Sequence, residues 1–320
     1  MSFEGRGGAP VSFVVIAYNE AANIERCIRS VLGQKGAPLL EVVVVDDAST
    51  DATPAIVAGL VGEDPRIKLR RLEKNGGRGN ARATGVECTR GRLVAMVDGD
   101  IVLAPDWLER CLASLEGYDA AGGIAVPDGD VAYLCRTFGL APRGRPSTMT
   151  LTGNNALFRR EVFDRAGFDR GLAEGEDIAF NHAMARAGLR STLVPGLSVD
   201  HRESKSFAQS LLWLYQSGKG AARQLERYRQ LRLPDLAFAG LLTSLGAGGG
   251  LALSSGRRRY GAALPVAWLL AMAIGHMLAC SRPSRSNAWR FGAATLLDTL
   301  FIGSYSAGRF AGHFFRRQGR

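Results

Sequence analysis

Cysteine is scarce in this 320-residue chain, and none of the five cysteines forms a CxxC pair with another. Their scattered positions exclude a disulfide framework and a cysteine-rich zinc site, because both need paired or closely spaced thiols. Cys27 and Cys111 fall among apolar residues at helical spacing. We therefore interpret them as small core residues of a protein in a reducing compartment.

Two phosphate-binding patterns are also absent. No GxxxxGK[ST] loop occurs, and no GxGxxG opens a helix after the first apolar run, so the common mononucleotide and dinucleotide loops are excluded. No basic run is interleaved with aromatic residues, which argues against nucleic-acid binding. The first ten residues, MSFEGRGGAP, lack the apolar core of a signal peptide, and we expect the catalytic part to stay in the cytoplasm.

Acidic residues are scarce beyond Ser204. From that residue onward 16 Lys and Arg stand against only three acids, whereas the preceding part of the chain is close to neutral. The net charge of +10 therefore arises from the last third of the chain. A basic segment that is also apolar favours a membrane with anionic headgroups over nucleic acid.

The first hundred residues alternate between strand and helix patterns. Apolar runs rich in β-branched residues, such as VSFVVIA, are typical of strands buried on both faces of a sheet. The order of these patterns implies an α/β fold, Rossmann-like, with a mostly parallel sheet flanked by helices. We predict strands at 11–17, 41–47, 67–72 and 92–98, and helices at 23–32, 52–60 and 79–89.

Farther along the chain, an apolar stripe predicts a helix over 106–115. A second helix is predicted to begin at Glu176 and Asp177 and to stop at Gly188, and a strand follows at 191–195. Carboxylates in a first helical turn are also favoured by the helix dipole, so their position alone does not prove a function.

Acidic residues follow two of the predicted strands: Asp46 and Asp47 end the second, and Asp98 and Asp100 follow the fourth. In a parallel sheet, ligands bind beyond the carboxyl ends of the strands. The DGD triplet is either a solvated acidic turn or a chelating pair, because Mg²⁺ prefers carboxylates together with substrate phosphates. Gly99 would let the backbone approach a ligand closely.

The segment NGGRGNARATG, residues 75–85, is rich in glycine and precedes a helix. We interpret it as a loop near a nucleotide. Its Arg78 and Arg82 are either ordinary surface charges or groups that bind a phosphate or a carboxylate.

The last third divides into two regions. The pattern of residues 205–234 predicts a basic amphipathic helix suited to a membrane interface. Residues 235–320 contain two apolar stretches, 235–254 and 260–280, each near the length of a bilayer span, and a weaker one at 291–308. The basic cluster 257–259 conflicts with the positive-inside tendency if both stretches span the membrane. A hairpin on the cytoplasmic side, or buried helices of a soluble domain, are the alternatives.

Several segments together resemble the family 2 glycosyltransferases with a GT-A fold. They occur in the family order over about residues 10–205: VSFVVIAYNEAANIERCIRSVLGQ, EVVVVDDASTDAT, NGGRGNARATGVE, VAMVDGDIVLAPDWL, LTGNNALFRREVF, GFDRGLAEGEDIAFNHAMARAG and VDHRES. The basic, apolar extension is similar to membrane-associated bacterial enzymes of exopolysaccharide synthesis, of the succinoglycan type.

This resemblance implies a nucleotide-sugar donor, most often UDP-linked, and inversion at the anomeric carbon. Ala17, Tyr18 and Glu20 would flank the nucleoside, and Asp47 would accept a hydrogen bond from uracil. Asp98 would lie near the ribose or the sugar. The DXD motif formed by Asp98, Gly99 and Asp100 would thus belong to the donor site.

The resemblance also implies a metal centre and a base. Asp100 and His201 would hold a divalent cation, Mg²⁺ or Mn²⁺, which offsets charge on the leaving diphosphate. Asp177 would be the general base that takes the proton of the acceptor hydroxyl. Glu176 beside it would help to hold the acceptor or donor.

A QxxRW-type motif of processive members is missing, since the corresponding region reads YQSGKGAARQ. We therefore expect transfer of a single sugar to a lipid-linked saccharide, with the catalytic domain, residues 1–204, on the cytoplasmic face of the cell membrane. Direct transfer to polyprenyl phosphate is one alternative. A membrane protein that binds a sugar nucleotide without catalysis is another.

Overall fold

A computed structural model describes residues 9–127, 151, 153–202, 206–229, 233–255, 263–271, 300–301 and 303–312. The chain divides into two compact units near residue 204. Described residues up to 202 belong to the first unit, and those from 206 onward to the second. The division into residues 1–204, 205–234 and 235–320, with the roles assigned to each part, stays a prediction.

The first unit is an eight-stranded sheet with helices on both faces. Its strands are β1 Val11–Ala17, β2 Leu39–Asp46, β3 Ile67–Arg71, β4 Leu93–Asp98, β5 Ile101–Val102, β6 Ala120–Pro127, β7 Asn155–Arg159 and β8 Ser191–His201. Its helices are α1 Ile24–Leu32, α2 Thr53–Glu63, α3 Arg78–Cys88, α4 Trp107–Ser114, α5 Val162–Arg165 and α6 Glu176–Arg186.

The sheet has the strand order β3-β2-β1-β4-β7-β6-β8-β5. The first four strands in this order are parallel, as the βαβ pattern predicts. β1 lies between β2 and β4, where Val14 is paired with Val43 on one side and with Met96 on the other. All seven residues of β1 are buried, because helices cover both faces of the sheet.

The second half of the sheet is mixed, and β5, β6 and β7 were not predicted. β7 pairs antiparallel with β4 and β6, whereas β6 pairs parallel with β8. β6 contains two adjacent glycines, which conceal a strand pattern. The pairing itself requires Gly122, since a Cβ atom there would lie 2.6 Å from the carbonyl oxygen of Asn155.

Apolar cores lie on the two faces of the sheet. On one face α1 and α4 pack with β1, and the rings of Phe13 and Trp107 are 6.2 Å apart. On the other face the rings of Phe168 and Phe180 stack at 4.2 Å beneath α6. Burial of these side chains supplies the main driving force for folding, and it fixes α3 and α6 above the same face.

The second unit contains the long helices α7 Phe207–Tyr228 and α8 Leu233–Ser255, with helical residues 263–271 and 303–312. α7 begins with a capping box between Ser206 and Gln209. It also packs closely against the last helical segment, because a Cβ atom at Gly308 would lie 1.9 Å from the carbonyl oxygen of Tyr215. The long helix that the basic amphipathic pattern predicts within residues 205–234 is therefore present as α7.

Among the helices that the structure describes, none is long and apolar enough to cross a membrane. α8 has the length predicted for the first apolar stretch, but glycines, serines and a threonine dilute its apolar character. Much of the second and third predicted stretches, 260–280 and 291–308, lies outside the described residues.

The opposite edge of the parallel sheet, where β1 and β2 begin, holds a buried carboxylate, Glu41. Its Oε1 accepts hydrogen bonds from the Ser12 hydroxyl at 2.9 Å and from the Arg90 backbone N–H at 2.7 Å. Its Oε2 accepts one from the Lys68 ammonium group. Burial alone would raise the pKa of Glu41, but the donors outweigh burial and hold this pKa below its ordinary value.

We expect Glu41→Gln to lower the free energy of unfolding by about 1–3 kcal/mol at pH 7, because it leaves buried donors without an ionised acceptor. A depressed pKa contributes stability that is present above the unfolded-state pKa and is lost as pH falls through the folded-state value. The difference between wild type and variant should therefore shrink from about pH 5 downward, as measured by urea unfolding. Glu63→Gln, which removes a surface partner of Arg29, is the matched control and should change stability by less than about 0.5 kcal/mol.

Candidate active site

The carboxyl ends of β1, β2 and β4 meet at one edge of the sheet, and the predicted acidic residues lie there. Asp46 is fully buried and pairs with Arg71, whose Nε is 3.3 Å from Asp46 Oδ2. The same arginine donates to the Ser49 carbonyl oxygen at 3.0 Å. These contacts fix the end of β3 beside the end of β2.

Asp47 holds the glycine-rich loop that precedes α3. Its Oδ1 accepts from the Gly76 N–H and its Oδ2 from the Gly77 N–H, both at 2.8 Å. Burial raises the pKa of Asp47 above its ordinary value even though the two N–H groups act in the opposite direction. Gly77 has a φ of 81°, a backbone conformation that glycine adopts readily.

A recess of about 360 Å³ opens beside this carboxylate and is lined by Ala48, Arg71, Leu72 and Glu73. Ala48 has a φ of 62°, which is costly for a residue with a Cβ atom. Such strain is common where a chain builds a ligand site.

The predicted nucleoside residues at the end of β1 lie on this edge as well. Ala17 is buried, and Tyr18 is exposed. Glu20 lies against the DGD triplet, since a Cβ atom at Gly99 would be 3.3 Å from Glu20 Cγ. The chain therefore brings the end of β1 and the turn after β4 together.

Strand pairing places the two predicted metal ligands side by side. β5 pairs antiparallel with β8, with Ile101 opposite His201. The Arg202 N–H also donates to the Asp100 carbonyl oxygen at 2.8 Å. As a result, His201 Nε2 lies 3.0 Å from Asp100 Oδ2 although the two residues are 101 positions apart.

This carboxylate and imidazole fit a divalent cation. Their side chains are 13% and 22% exposed, so both nitrogen and oxygen donors meet at a point that solvent can reach. Carboxylate and water oxygens suit Mg²⁺ and Mn²⁺, and imidazole nitrogen is a ligand of first-row transition metals. Within the described ranges no group of three or more His, Cys, Asp or Glu side chains is placed to hold a metal ion.

The two arginines of the glycine-rich segment each contact acidic residues. Arg78 pairs with Glu174 at 3.1 Å. Arg82 pairs with Asp98 at 2.6 Å and with Glu176 at 2.9 Å. The sequence left open whether these arginines are ordinary surface charges or bind a phosphate or a carboxylate. In the structure, both guanidinium groups lie next to carboxylates.

The α6 N-terminus supplies the predicted base and its neighbour. Gly175 precedes the helix with a φ of 75°, and Asp177 Oδ1 accepts a hydrogen bond from the Ile178 N–H at 2.8 Å. Asp177 is half-buried, whereas the Glu176 side chain is 3% exposed. Burial raises the pKa of Glu176 to about 7, against the opposing effect of Arg82.

The structure thus places the predicted site residues around one edge of the sheet, at the carboxyl ends of its parallel strands. It also shows residues in contact with them that the sequence did not indicate. Glu174 and Gly153 contact Arg78 and Arg82, respectively, and Arg71 lines the recess. Gly153 belongs to a segment of the family resemblance, TGNNA, which is either a lining of the donor sugar or a turn, but the sequence does not indicate its contact with Arg82. Glu174, by contrast, lies in the same acidic segment as Glu176 and could have been included on charge alone.

An α/β domain with acids at the carboxyl ends of parallel strands and a mixed second half is the architecture of a GT-A glycosyltransferase. Residues 12–167 match the family described as glycosyl transferase family 2. These residues therefore form a family 2 glycosyltransferase domain, and the resemblance predicted from the motifs is confirmed over this segment.

Two curated relatives extend this comparison. The succinoglycan biosynthesis protein ExoO of Rhizobium meliloti is 42% identical over 185 residues, covering 54% of this chain and 51% of that protein. The glycosyltransferase AglE of Haloferax volcanii is 26% identical over 244 residues, covering 71% and 79%, respectively. The chain thus spans about half the length of ExoO.

Solved structures share the fold. The mannosyltransferase PcManGT from Pyrobaculum calidifontis, in complex with GDP-Man and Mn²⁺, has a TM-score of 0.60 at 23% identity, covering 96% of this chain and 88% of that one. GalNAc-T7 with UDP, GalNAc and Mn²⁺ has a TM-score of 0.54 at 16% identity, covering 73% and 51%. At these identities the likeness shows the GT-A-like fold alone.

Proposed function

We propose that this protein is an inverting, metal-dependent glycosyltransferase that moves one sugar from a nucleotide-sugar to a lipid-linked saccharide in exopolysaccharide or cell-envelope glycan synthesis. The observation that carries the proposal is the Asp100–His201 pair, 3.0 Å apart at the rim of the sheet. Through Asp98 and Arg82, this rim is connected to the acidic start of α6. Ion pairs thus link the neighbourhood of the candidate cation ligands to the helix that begins with the candidate base.

The recess beside Asp47 supports a nucleotide donor. Its volume of about 360 Å³ lies within the range of small-molecule sites, and it sits beyond the ends of parallel strands, where ligands of α/β folds bind. A UDP-sugar is the donor we infer from the motifs. PcManGT is in complex with GDP-Man and GalNAc-T7 with UDP, so a donor panel must include both nucleotides.

The reaction needs a base on the face of the sugar opposite the leaving group. We assign this role to Asp177, whose carboxylate would take the proton of the acceptor hydroxyl while that oxygen forms a bond to the anomeric carbon. The bond from that carbon to the diphosphate oxygen breaks, and the electron pair leaves with the nucleoside diphosphate. A cation held by Asp100 and His201 would supply charge stabilisation for the leaving diphosphate. A single displacement of this kind inverts the configuration.

The second unit supports a lipid-linked acceptor at a membrane surface. Sixteen basic residues and three acids follow Ser204, and long apolar side chains are exposed along its described helices, of which Leu253 is 89% exposed. Other examples are Leu212, Leu245 and Val266. Basic charge beside exposed apolar groups suits the interface of an anionic bilayer. We place the catalytic domain on the cytoplasmic face of the cell membrane.

We expect Asp177→Asn to lower kcat by about 10²–10⁴-fold, the usual contribution of a general base, while the affinity for UDP changes little. Nucleotide release with a panel of UDP- and GDP-sugars and lipid-linked acceptors measures turnover, and calorimetry measures binding. Asp164→Asn, an exposed carboxylate on α5, is the control and should keep wild-type turnover. Undiminished turnover by Asp177→Asn contradicts the assignment of the base.

Removal of divalent cations should abolish turnover. We expect EDTA to stop the reaction and Mn²⁺ or Mg²⁺ to restore it, and we expect His201→Ala to raise the cation concentration needed by about 10-fold or more. His182→Ala, an exposed histidine on α6, provides the comparison and should behave as wild type. Turnover that persists in EDTA would remove the role given to Asp100 and His201.

The 320-residue protein should bind vesicles that contain phosphatidylglycerol more tightly than vesicles of phosphatidylcholine alone. Replacing both Leu212 and Leu253 by Ser should weaken binding by about 10-fold or more, since burying one leucine is worth about 1.5–3 kcal/mol. Leu40→Ser, a partly exposed leucine at the start of β2, should leave flotation with the vesicles unchanged. Equal binding to both vesicle types, or full retention by the double variant, would contradict the membrane proposal.

A further inference from the structure

Arg82 is a charged residue inside the protein. Its side chain is 2% exposed, and it lies between two carboxylates that come from different elements. Nη2 contacts Asp98 Oδ1 at the end of β4 at 2.6 Å, and Nη1 contacts Glu176 Oε1 in the first turn of α6 at 2.9 Å. One guanidinium group therefore joins α3, β4 and α6.

The surroundings are shaped to hold this group. A Cβ atom at Gly153 would lie 1.6 Å from Arg82 Nη1 and 2.5 Å from its Cζ, so only glycine leaves room for the guanidinium. On another side, the Phe168 ring centroid is 5.9 Å from Cζ, which is within the range of a cation–π contact. The position of the guanidinium is therefore set by packing as well as by charge.

An arginine that binds a phosphate must present its N–H groups to that phosphate. In Arg82, Nη2 donates to Asp98 and Nη1 lies against Glu176, while Nε and Nη1 have no hydrogen-bond partner among the described residues, and the side chain is 2% exposed. Direct contact of a diphosphate with either terminal nitrogen would require the diphosphate to enter this buried space and displace the carboxylate that the nitrogen faces. The geometry therefore favours a role that acts through the two carboxylates.

We propose that Arg82 is a positioning residue, which locks the first turn of α6 to the end of β4 and thereby sets where Asp177 lies relative to the donor side of the site. This inference rests on the proposed glycosyltransferase function. It assigns Arg82 an effect on the alignment of donor and base, not on donor affinity.

The contacts of Glu176 explain why this lock is needed. Within the described part of the chain its Oε2 has no hydrogen-bond partner, and its Oε1 meets Arg82. Without the guanidinium, the buried Glu176 would face a low-dielectric space with no cation beside it, and the start of α6 would lose its tie to Asp98 and move toward water. Asp177 is the next residue along the helix, so it would move with Glu176.

The experiment compares Arg82→Ala with Gly153→Ala, which displaces the guanidinium without removing it. Arg170→Ala is the matched control. Arg170 is a surface arginine outside α3, and it pairs with Glu87, which lies on α3 as Arg82 does. For each variant, kcat and the donor KM are measured, and binding of UDP with Mn²⁺ is measured by calorimetry. Thermal unfolding confirms that each variant is folded. If Arg82→Ala does not fold, Arg82→Lys, which keeps the charge, is measured in its place.

We expect kcat to fall about 100-fold in Arg82→Ala and in Gly153→Ala, the cost of a misplacement near 1 Å, with donor KM and UDP affinity within about threefold of wild type. Guanidinium chloride at millimolar concentration should restore part of kcat in Arg82→Ala, because the vacated space is lined by two carboxylates. It should not stimulate Arg170→Ala. Sodium chloride at equal ionic strength should have no effect on either variant.

Two results would overturn the assignment. A tenfold or greater rise in donor KM and UDP dissociation constant at constant kcat would show that Arg82 binds the donor directly. Unchanged kcat in both Arg82→Ala and Gly153→Ala would show that it has no positioning role. The wild-type protein separates these results from a failure of the proposed function, since absence of wild-type turnover with the whole donor and acceptor panel overturns both proposals together.

Discussion

The candidate site depends on the pairing of β1 with β2 and β4. Because all three strands run in the same direction, their carboxyl ends meet at one edge, and the acidic residues that follow β2 and β4 are brought together. Valine and other apolar residues buried on both faces stabilise this arrangement. The polar rim thus depends on an apolar interior that contributes no functional group to it.

Acidic residues gathered at such an edge repel one another, and the protein offsets this charge locally. Asp47 accepts hydrogen bonds from two backbone N–H groups. Asp46 forms an ion pair with Arg71, and Asp98 forms one with Arg82. All of these compensating donors come from one stretch of chain, which comprises the end of β3, the loop after it and helix α3. The same contacts that neutralise the acids therefore define the positions of the loops around the site, so charge compensation and site geometry have one structural origin.

The sequence predicted the parallel half of the sheet and the residues at its rim well, because buried β-branched runs and strand-end acids are local signals. It did not predict β6 and β7, whose pairing relies on glycines and on partners distant in sequence. It also left the surroundings of Arg82 open, because the guanidinium contacts residues 16 and 94 positions farther along the chain. Such contacts follow from the tertiary fold and have no periodic signature in the sequence.

The antiparallel pairing of β5 with β8 has a consequence for assembly of the domain. Asp100 follows the first parallel half of the sheet, whereas His201 is the last residue of the final strand. A chain emerging from the ribosome therefore holds the first of these side chains long before the second, and the pair exists only after the last strand has docked. A cation that needs both would bind the finished domain and not its precursors, and by mass action it would stabilise the completed sheet against loss of its terminal strand.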